Sequence, residues 1–194
     1  MFKSLSHFYF NKALQQARDE QISTAVQHLA KAVSYDRQNI EAWNLAGLCY
    51  YRLGKYKTAE FCWTRSINER PAENGANAYL ADLTGSFEEA APYFPQVAFL
   101  CEHKRYGEAA GIMSKNICSR FDAATALLNY LGVLYVLDGK ISRAVKCWRS
   151  VLAMDRTNTT ALRYLEGIEN RPSYRLHQWK ERLWQRLWQK NNKA

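Results

Sequence analysis

The chain predicts an all-α fold built from repeated helical hairpins, and three observations carry that expectation. Two segments align without gaps in a single frame: "WNLAGLCYYRLGKYKTAEFCWTRSI" from Trp43 and "LNYLGVLYVLDGKISRAVKCWRSVL" from Leu128. In each copy apolar residues recur at helical spacing, stop at a short turn containing Gly and Lys, and resume at helical spacing. Only 9 glycines and 4 prolines punctuate the 194 residues, too few for many turn-linked strands. A hydrophobic fraction of 47% with 23% charged residues is that of a globular chain large enough to bury a core.

The matches within the two copies define the hairpin. Asn44 aligns with Asn129, Gly47 with Gly132, Tyr50 with Tyr135, Gly54 with Gly139, Lys55 with Lys140, Ala59 with Ala144, and Cys62-Trp63 with Cys147-Trp148. Gly47 and Gly132 fall inside the first helix of each copy, where glycine costs roughly 1 kcal/mol against alanine. They therefore require close approach by a neighbouring element. Ala59 and Ala144 supply a small facing surface, while Tyr50, Trp63, Tyr135 and Trp148 fill the space between hairpins.

The pattern Trp43-x2-Ala46-Gly47-x2-Tyr50, then Ala59-x3-Trp63, then Pro71 resembles the tetratricopeptide repeat, whose unit is about 34 residues. Ala46 and Trp63 depart from the family's Leu and Phe but stay apolar. The later copy has Leu128 for the Trp and Arg156 for the closing Pro. One unit earlier, residues 6–39 read as a degenerate first repeat, with Tyr9 at the Trp position, Ala13 at the Gly position, Ala25 at the Ala position and Leu29 at the Phe position. Regular repeats follow at 40–73 and 125–158. The step from one regular copy to the other is about two and a half units, so half a repeat is left over between them. Residues 74–122 are thus irregular, one to two distorted repeats. In them "TGSFEEA" (84–90) and "HKRYGEA" (103–109) both echo the turn "LGKYKTA" (53–59), and Pro92 and Pro95 interrupt helix. Residues 159–169 resemble the first helix of a further repeat. The expected organisation is a repeat domain over 1–170 and a separate segment over 171–194.

The resemblance implies a right-handed superhelical solenoid whose first helices line a groove that binds a peptide or helix of another protein, without catalysis. The groove positions hold Phe10, Leu14, Asn44, Leu48, Tyr51, Arg52, Asn129, Val133 and Val136. Phe10 and Leu14 stand where relatives that clamp a C-terminal carboxylate carry a Lys and Asn pair, which disfavours that mode. An apolar groove with two amides to fix backbone groups suits an apolar or amphipathic helix. Equally, these apolar side chains could serve only to pack against neighbouring hairpins.

Charge is unevenly spread. Residues 171–194 hold seven Lys or Arg and one Glu, so this tail carries +6 of the net +9. Pro172 suits a first helical turn, and no helix breaker occurs from Ser173 to Lys190. On a helical wheel Leu176, Leu183 and Leu187 cluster, flanked by Trp179 on one side and Trp184 and Trp188 on the other. Arg175, Arg182 and Arg186 form an adjoining stripe. An amphipathic helix of this kind can cap the repeat stack, bind a partner protein or lie on an anionic membrane surface. Nucleic acid is disfavoured, because the broad apolar face has no use for phosphates.

Chemistry-bearing motifs are sparse. The sequence has no glycine-rich phosphate loop, no H-E-x-x-H and no G-x-S-x-G, so neither an enzyme, a small-molecule substrate nor a cofactor is expected. Glu88 and Glu89 read as a first helical turn capped by Ser86. The five cysteines form no C-x-x-C pair, and the four histidines lack ligand spacing. Reduced, mostly buried thiols and no metal follow. The start of the chain does not read as a signal peptide, and no apolar run approaches the ~20 residues of a spanning helix. A cytoplasmic protein is expected, with peripheral attachment to a membrane as the alternative.

Overall fold

A computed structural model describes residues 2–121 and 124–170. Among these there are ten α-helices, one π-helical turn and no strand. The chain divides into two compact units, residues 1–158 and 159–194. The first holds helices α1 (Phe2–Arg18), α2 (Ile22–Tyr35), α3 (Ile40–Arg52), α4 (Tyr56–Glu69), α5 (Ala76–Ala90), α6 (Tyr93–Glu102), α7 (Tyr106–Ile112), α8 (Thr125–Leu137) and α9 (Ile141–Met154). A π-helical turn, Met113–Ile117, extends α7. In the second unit the described residues form α10 (Thr159–Glu169), an amphipathic helix that buries Ala161, Leu165 and Ile168.

The periodicity of the sequence sets the helix boundaries. α8 and α9 start and end at the residues that the sequence match aligns with the ends of α3 and α4. Likewise α2 starts and ends one repeat unit before α4, Ile22 answering to Tyr56 and Tyr35 to Glu69. Four hairpins result: α1/α2, α3/α4, α6/α7 and α8/α9. Each turns on one left-handed residue at the equivalent place, Glu20 (φ 60°), Gly54 (φ 74°), Lys104 (φ 58°) and Gly139 (φ 76°). Each turn also repeats one pair of hydrogen bonds that satisfies the last carbonyls of the first helix. The Gly54 N–H donates to Tyr51 O (2.8 Å) and the Lys55 N–H to Tyr50 O (2.9 Å). The N–H groups of Lys104 and Arg105 donate to Cys101 O and Leu100 O, and those of Gly139 and Lys140 to Val136 O and Tyr135 O. These turns fix the register of α6/α7 against the complete hairpins: Lys104 stands in line with Gly54 and with Gly139.

The irregular middle consists of the lone helix α5 and then the α6/α7 hairpin. The echo in "HKRYGEA" marks a real turn, with lysine in place of glycine. The echo in "TGSFEEA" does not: Thr84–Ala90 lies inside α5, which runs straight through Gly85. The capping role expected of Ser86 is likewise corrected. Its hydroxyl donates to Arg120 O (3.0 Å), and Glu89 pairs with Arg120 at 2.6 Å. Both groups therefore tie mid-to-late α5 to the chain after the π-helical turn. The proline break falls between α5 and α6. Pro92 immediately precedes α6, and Pro95 sits in its first turn, where a backbone N–H has no helical partner to lose.

The two mid-helix glycines are explained by an indole ring rather than by the facing alanines. A Cβ on Gly47 would lie 2.1 Å from Trp63 Nε1, and one on Gly132 would lie 2.5 Å from Trp148 Nε1. Each indole N–H donates to the carbonyl three residues before its glycine, Trp63 to Asn44 O and Trp148 to Asn129 O, both at 3.3 Å. Glycine thus lets a fully buried tryptophan lie against the first helix and satisfy its polar atom. Ala13, Ala25, Leu29 and Ala32 of the first hairpin pack with Ala42, Ala46, Cys49 and Cys62 of the second. A second cluster joins Ala59 and Trp63 to Leu83, Leu100, Met113, Ile117, Phe121, Leu131 and Leu134.

The first unit is also joined end to end. Asp155, fully buried after α9, accepts hydrogen bonds from the Ser23 N–H (3.1 Å) and hydroxyl at the start of α2. Thr157 Oγ1 and Asn158 Nδ2 donate to the same carboxylate. The Arg156 N–H donates to Glu20 O (2.7 Å), and its guanidinium meets the Glu20 carboxylate at 3.1 Å. Four donors satisfy the buried Asp155 carboxylate, as its burial demands.

Candidate functional site

The groove positions lie on three first helices. Phe10 and Leu14 are on α1, Asn44, Leu48, Tyr51 and Arg52 on α3, and Asn129, Val133 and Val136 on α8. Phe10, Leu14, Leu48, Tyr51, Val133 and Val136 are all half-buried and Arg52 is exposed. Tyr51 is held edge-on to Tyr56 (centroids 5.6 Å) and tilted against Trp63 (6.1 Å). On α8 the row continues into Tyr130 and Leu137, both large, apolar and exposed, which the groove pattern alone did not single out.

The two amides are committed to their own fold. Asn44 Nδ2 donates to Asn74 Oδ1 at 2.9 Å, and Asn129 Nδ2 donates to Asn158 Oδ1 at 3.3 Å. These orientations are pinned from outside the pair. Asn74 donates to Arg70 O and Ser66 Oγ and accepts from the Ala76 N–H, so its oxygen must face Asn44. Asn158 donates to Asp155, so its oxygen must face Asn129. Each amide links a first helix to the loop that opens the next repeat, at the same place in both copies. The side-chain oxygens, Oδ1, of Asn44 and Asn129 are shielded from solvent and accept no hydrogen bond among the described residues. Both amides thus act on the inter-repeat loops, and of the expected groove positions the apolar ones are half-buried and Arg52 is exposed.

Burial holds three of the five thiols protonated. Burial pushes Cys49 and Cys62 up to about 12 and Cys118 up to about 11, the opposite of what a nucleophilic thiolate needs. Among the described residues no group of three His, Cys, Asp or Glu could hold a metal ion. No described helix is long and apolar enough to cross a membrane. The apolar and arginine faces expected of Arg175, Leu176, Trp179, Arg182, Leu183, Trp184, Arg186, Leu187 and Trp188 lie outside the described residues.

One surface escaped the sequence reading. On the α6/α7 hairpin Pro95, Gln96, Phe99, Leu100, Glu108 and Ile112 line an open cleft of about 480 Å³. Phe94 and Phe99 of the short helix α6 are exposed aromatics, and Phe99 is the one that borders the cleft. Two phenylalanines in "YFPQVAFLCE" were the available signal, but whether they face core or solvent depends on which helix precedes them.

Residues 40–73 match the sequence profile of the tetratricopeptide repeat. No curated protein matches the chain by sequence. Among solved structures, MamA (residue 41 to the end) from Desulfovibrio magneticus RS-1 is 16% identical, with a TM-score of 0.37 over 80% of this chain and 78% of that one. YrrB, described as a TPR protein with an unusual peptide-binding site, is 16% identical, with a TM-score of 0.38 over 81% of this chain and 90% of its own. The profile match falls on α3/α4, the hairpin whose boundaries α8/α9 reproduces. The match thus shows one tetratricopeptide repeat, at residues 40–73, and α8/α9 repeats its helix boundaries.

Proposed function

We propose that this protein is a non-enzymatic interaction module, an adaptor or assembly factor, that holds a peptide or amphipathic helix of a partner protein along its first helices. The observation that carries this reading is the row of half-buried apolar side chains at groove positions of α1, α3 and α8: Phe10 and Leu14, Leu48 and Tyr51, Val133 and Val136. Apolar surface left partly exposed on three first helices stabilises a bound apolar face by about 25 cal/mol per Å² buried. Arg52 at the edge of the row adds a cationic contact for the partner's polar side. Photo-crosslinkers placed at Leu48 and Val136 test the reading against one at Phe61, an exposed residue of a second helix. The expected result is one partner captured from both groove positions and not from Phe61. Equal capture at all three, or none, contradicts it.

The alternative is a peripheral membrane-associated scaffold, favoured by the +6 charge and three tryptophans of residues 171–194. Flotation with anionic vesicles separates the two readings. Salt-sensitive binding that is lost on removing residues 171–194 supports attachment to a membrane, and absence of binding leaves the tail to a protein partner or to capping the repeat stack.

A further inference from the structure

The two ends of the first unit meet in a polar contact, and each half of that contact recurs elsewhere in the chain without it. The loop that ends α9 is Asp155-Arg156-Thr157-Asn158, and the loop that ends α2 is Asp36-Arg37-Gln38-Asn39, the same Asp-Arg-x-Asn. Both aspartates hold extended backbone, φ −145° and ψ 90° at Asp155, φ −143° and ψ 102° at Asp36. Asp36 serves its own turn, accepting the Gln38 N–H at 3.0 Å. Asp155 reaches the first hairpin and accepts from the N–H and hydroxyl of Ser23. The receiving side shows the same contrast. Gln21 gives α2 no side-chain cap, and Asp155 caps the helix from 132 residues along the chain. The second helices α4, α7 and α9 start without a side-chain cap. The loop and the helix start therefore both form in this chain without the contact that joins them here.

No hydrophobic cluster of the described residues reinforces the closure. The cluster that holds the first hairpin contains no residue after Cys62, and the one that holds Leu131 and Leu134 of α8 contains none before Leu48. The remaining contacts are polar. Arg156 meets Glu20 through its N–H and its guanidinium, and Thr24 Oγ1 lies 3.4 Å from Thr157 Oγ1. Hydrogen bonds and exposed ion pairs exchange for water at small net cost, so this contact can part while both clusters stay intact. The link between α3 and α8 is of another kind. A Cβ on Gly54 would lie 2.6 Å from Ala126 Cβ, and Leu48 and Tyr51 pack against the cluster of Leu131 and Leu134. Parting the polar contact frees the first hairpin, with Phe10 and Leu14, to move against α8.

We infer that the contact of Asp155 and Arg156 with Glu20 and Ser23 is a latch on the groove of first helices. Closed, it restricts access to the groove; open, it admits the partner's amphipathic helix. This rests on the groove proposed above. A helix that binds the open form more tightly shifts the chain toward that form.

A disulfide locks the latch reversibly. In Thr24→Cys/Thr157→Cys the sulfurs replace hydroxyl oxygens 3.4 Å apart, within reach of a bond, and a reductant reopens it in the same protein. Two readouts compare the oxidised and reduced forms of the full-length chain. One is native-state alkylation of a thiol introduced by Val133→Cys, mapped by peptide mass. The other is fluorescence anisotropy with a stapled helix carrying leucines at i, i+3, i+4 and i+7 as the probe. The expected result is that oxidation slows labelling severalfold and weakens probe binding about tenfold, and that reduction restores both. Ser23→Ala/Arg156→Ala, which weakens the latch without a lock, should speed labelling and strengthen binding. Labelling and binding that are equal in the oxidised and reduced forms overturn the latch and leave the groove reading standing. A probe that binds neither form, with no capture from Leu48 or Val136, removes the groove reading; labelling then decides the latch alone, and an unchanged rate overturns it.

Discussion

Cys49, Phe99 and Leu134 occupy one repeat position in three hairpins of one molecule. Two of them are sealed by the second helix of the preceding repeat, and the third faces solvent because that helix is missing. The hairpins share the same turn, with a left-handed residue and the same pair of backbone hydrogen bonds, so local structure does not distinguish them. Burial in a solenoid is a property of the neighbouring repeat. A side chain's role in stability or in binding follows from whether that neighbour is present.

This contrast orders the expected effects of substitution. Trp63→Ala and Trp148→Ala remove indoles that fill the hairpin interior and should each cost ~3–5 kcal/mol in urea unfolding. A loss below about 1 kcal/mol would show that the glycine–indole contact does not hold the hairpin. Leu134→Ala, at the sealed position, should cost ~2–5 kcal/mol. Gly47→Ala should cost ~1–3 kcal/mol by overpacking against Trp63, although alanine is the better helix former. Phe99→Ala, at the open position, should stay within about 0.5 kcal/mol of the parent. Similar losses at Leu134 and Phe99 would erase the distinction.

A separate expectation is a pH dependence. Desolvation raises the thiols of Cys49 and Cys62 from the ordinary value of 9.0 to about 12 in the folded chain. Below pH 9 both states hold these protons and the contribution to stability is constant. As pH rises from 9 toward 12 the unfolded chain releases protons that the folded chain keeps, so stability falls. Cys49→Ala should flatten that decline in thermal unfolding followed against pH. An unchanged slope would mean that this thiol is open to solvent.

The fold was legible where glycine, tyrosine and tryptophan recur in one frame, because those residues mark turns and interior contacts that every repeat needs. The gapless match between the two copies placed all four helices of the complete hairpins. It also exposed the half repeat left over between them, which the structure fills with the lone helix α5. The turn of α6/α7 was readable in "HKRYGEA", but Thr84–Ala90 imitated it while lying in mid-helix. A glycine there is compatible with either state, and only the contacts of Ser86 and Glu89 with Arg120 decide. The site was less legible than the fold. Asn44 and Asn129 stand at groove positions, yet their amides are turned by Asn74 and Asn158, partners far along the chain. The exposure of Phe99 depends on an absence one helix earlier, which no local pattern encodes.

Thiol labelling under native conditions tests the central contrast most directly. In the Phe99→Cys chain the introduced thiol and the native Cys49 occupy one repeat position in two hairpins, and peptide mass mapping reads both in one sample. The expected result is rapid alkylation at position 99 with Cys49 protected until the chain unfolds. Protection at both positions, or equal reactivity, would contradict the account.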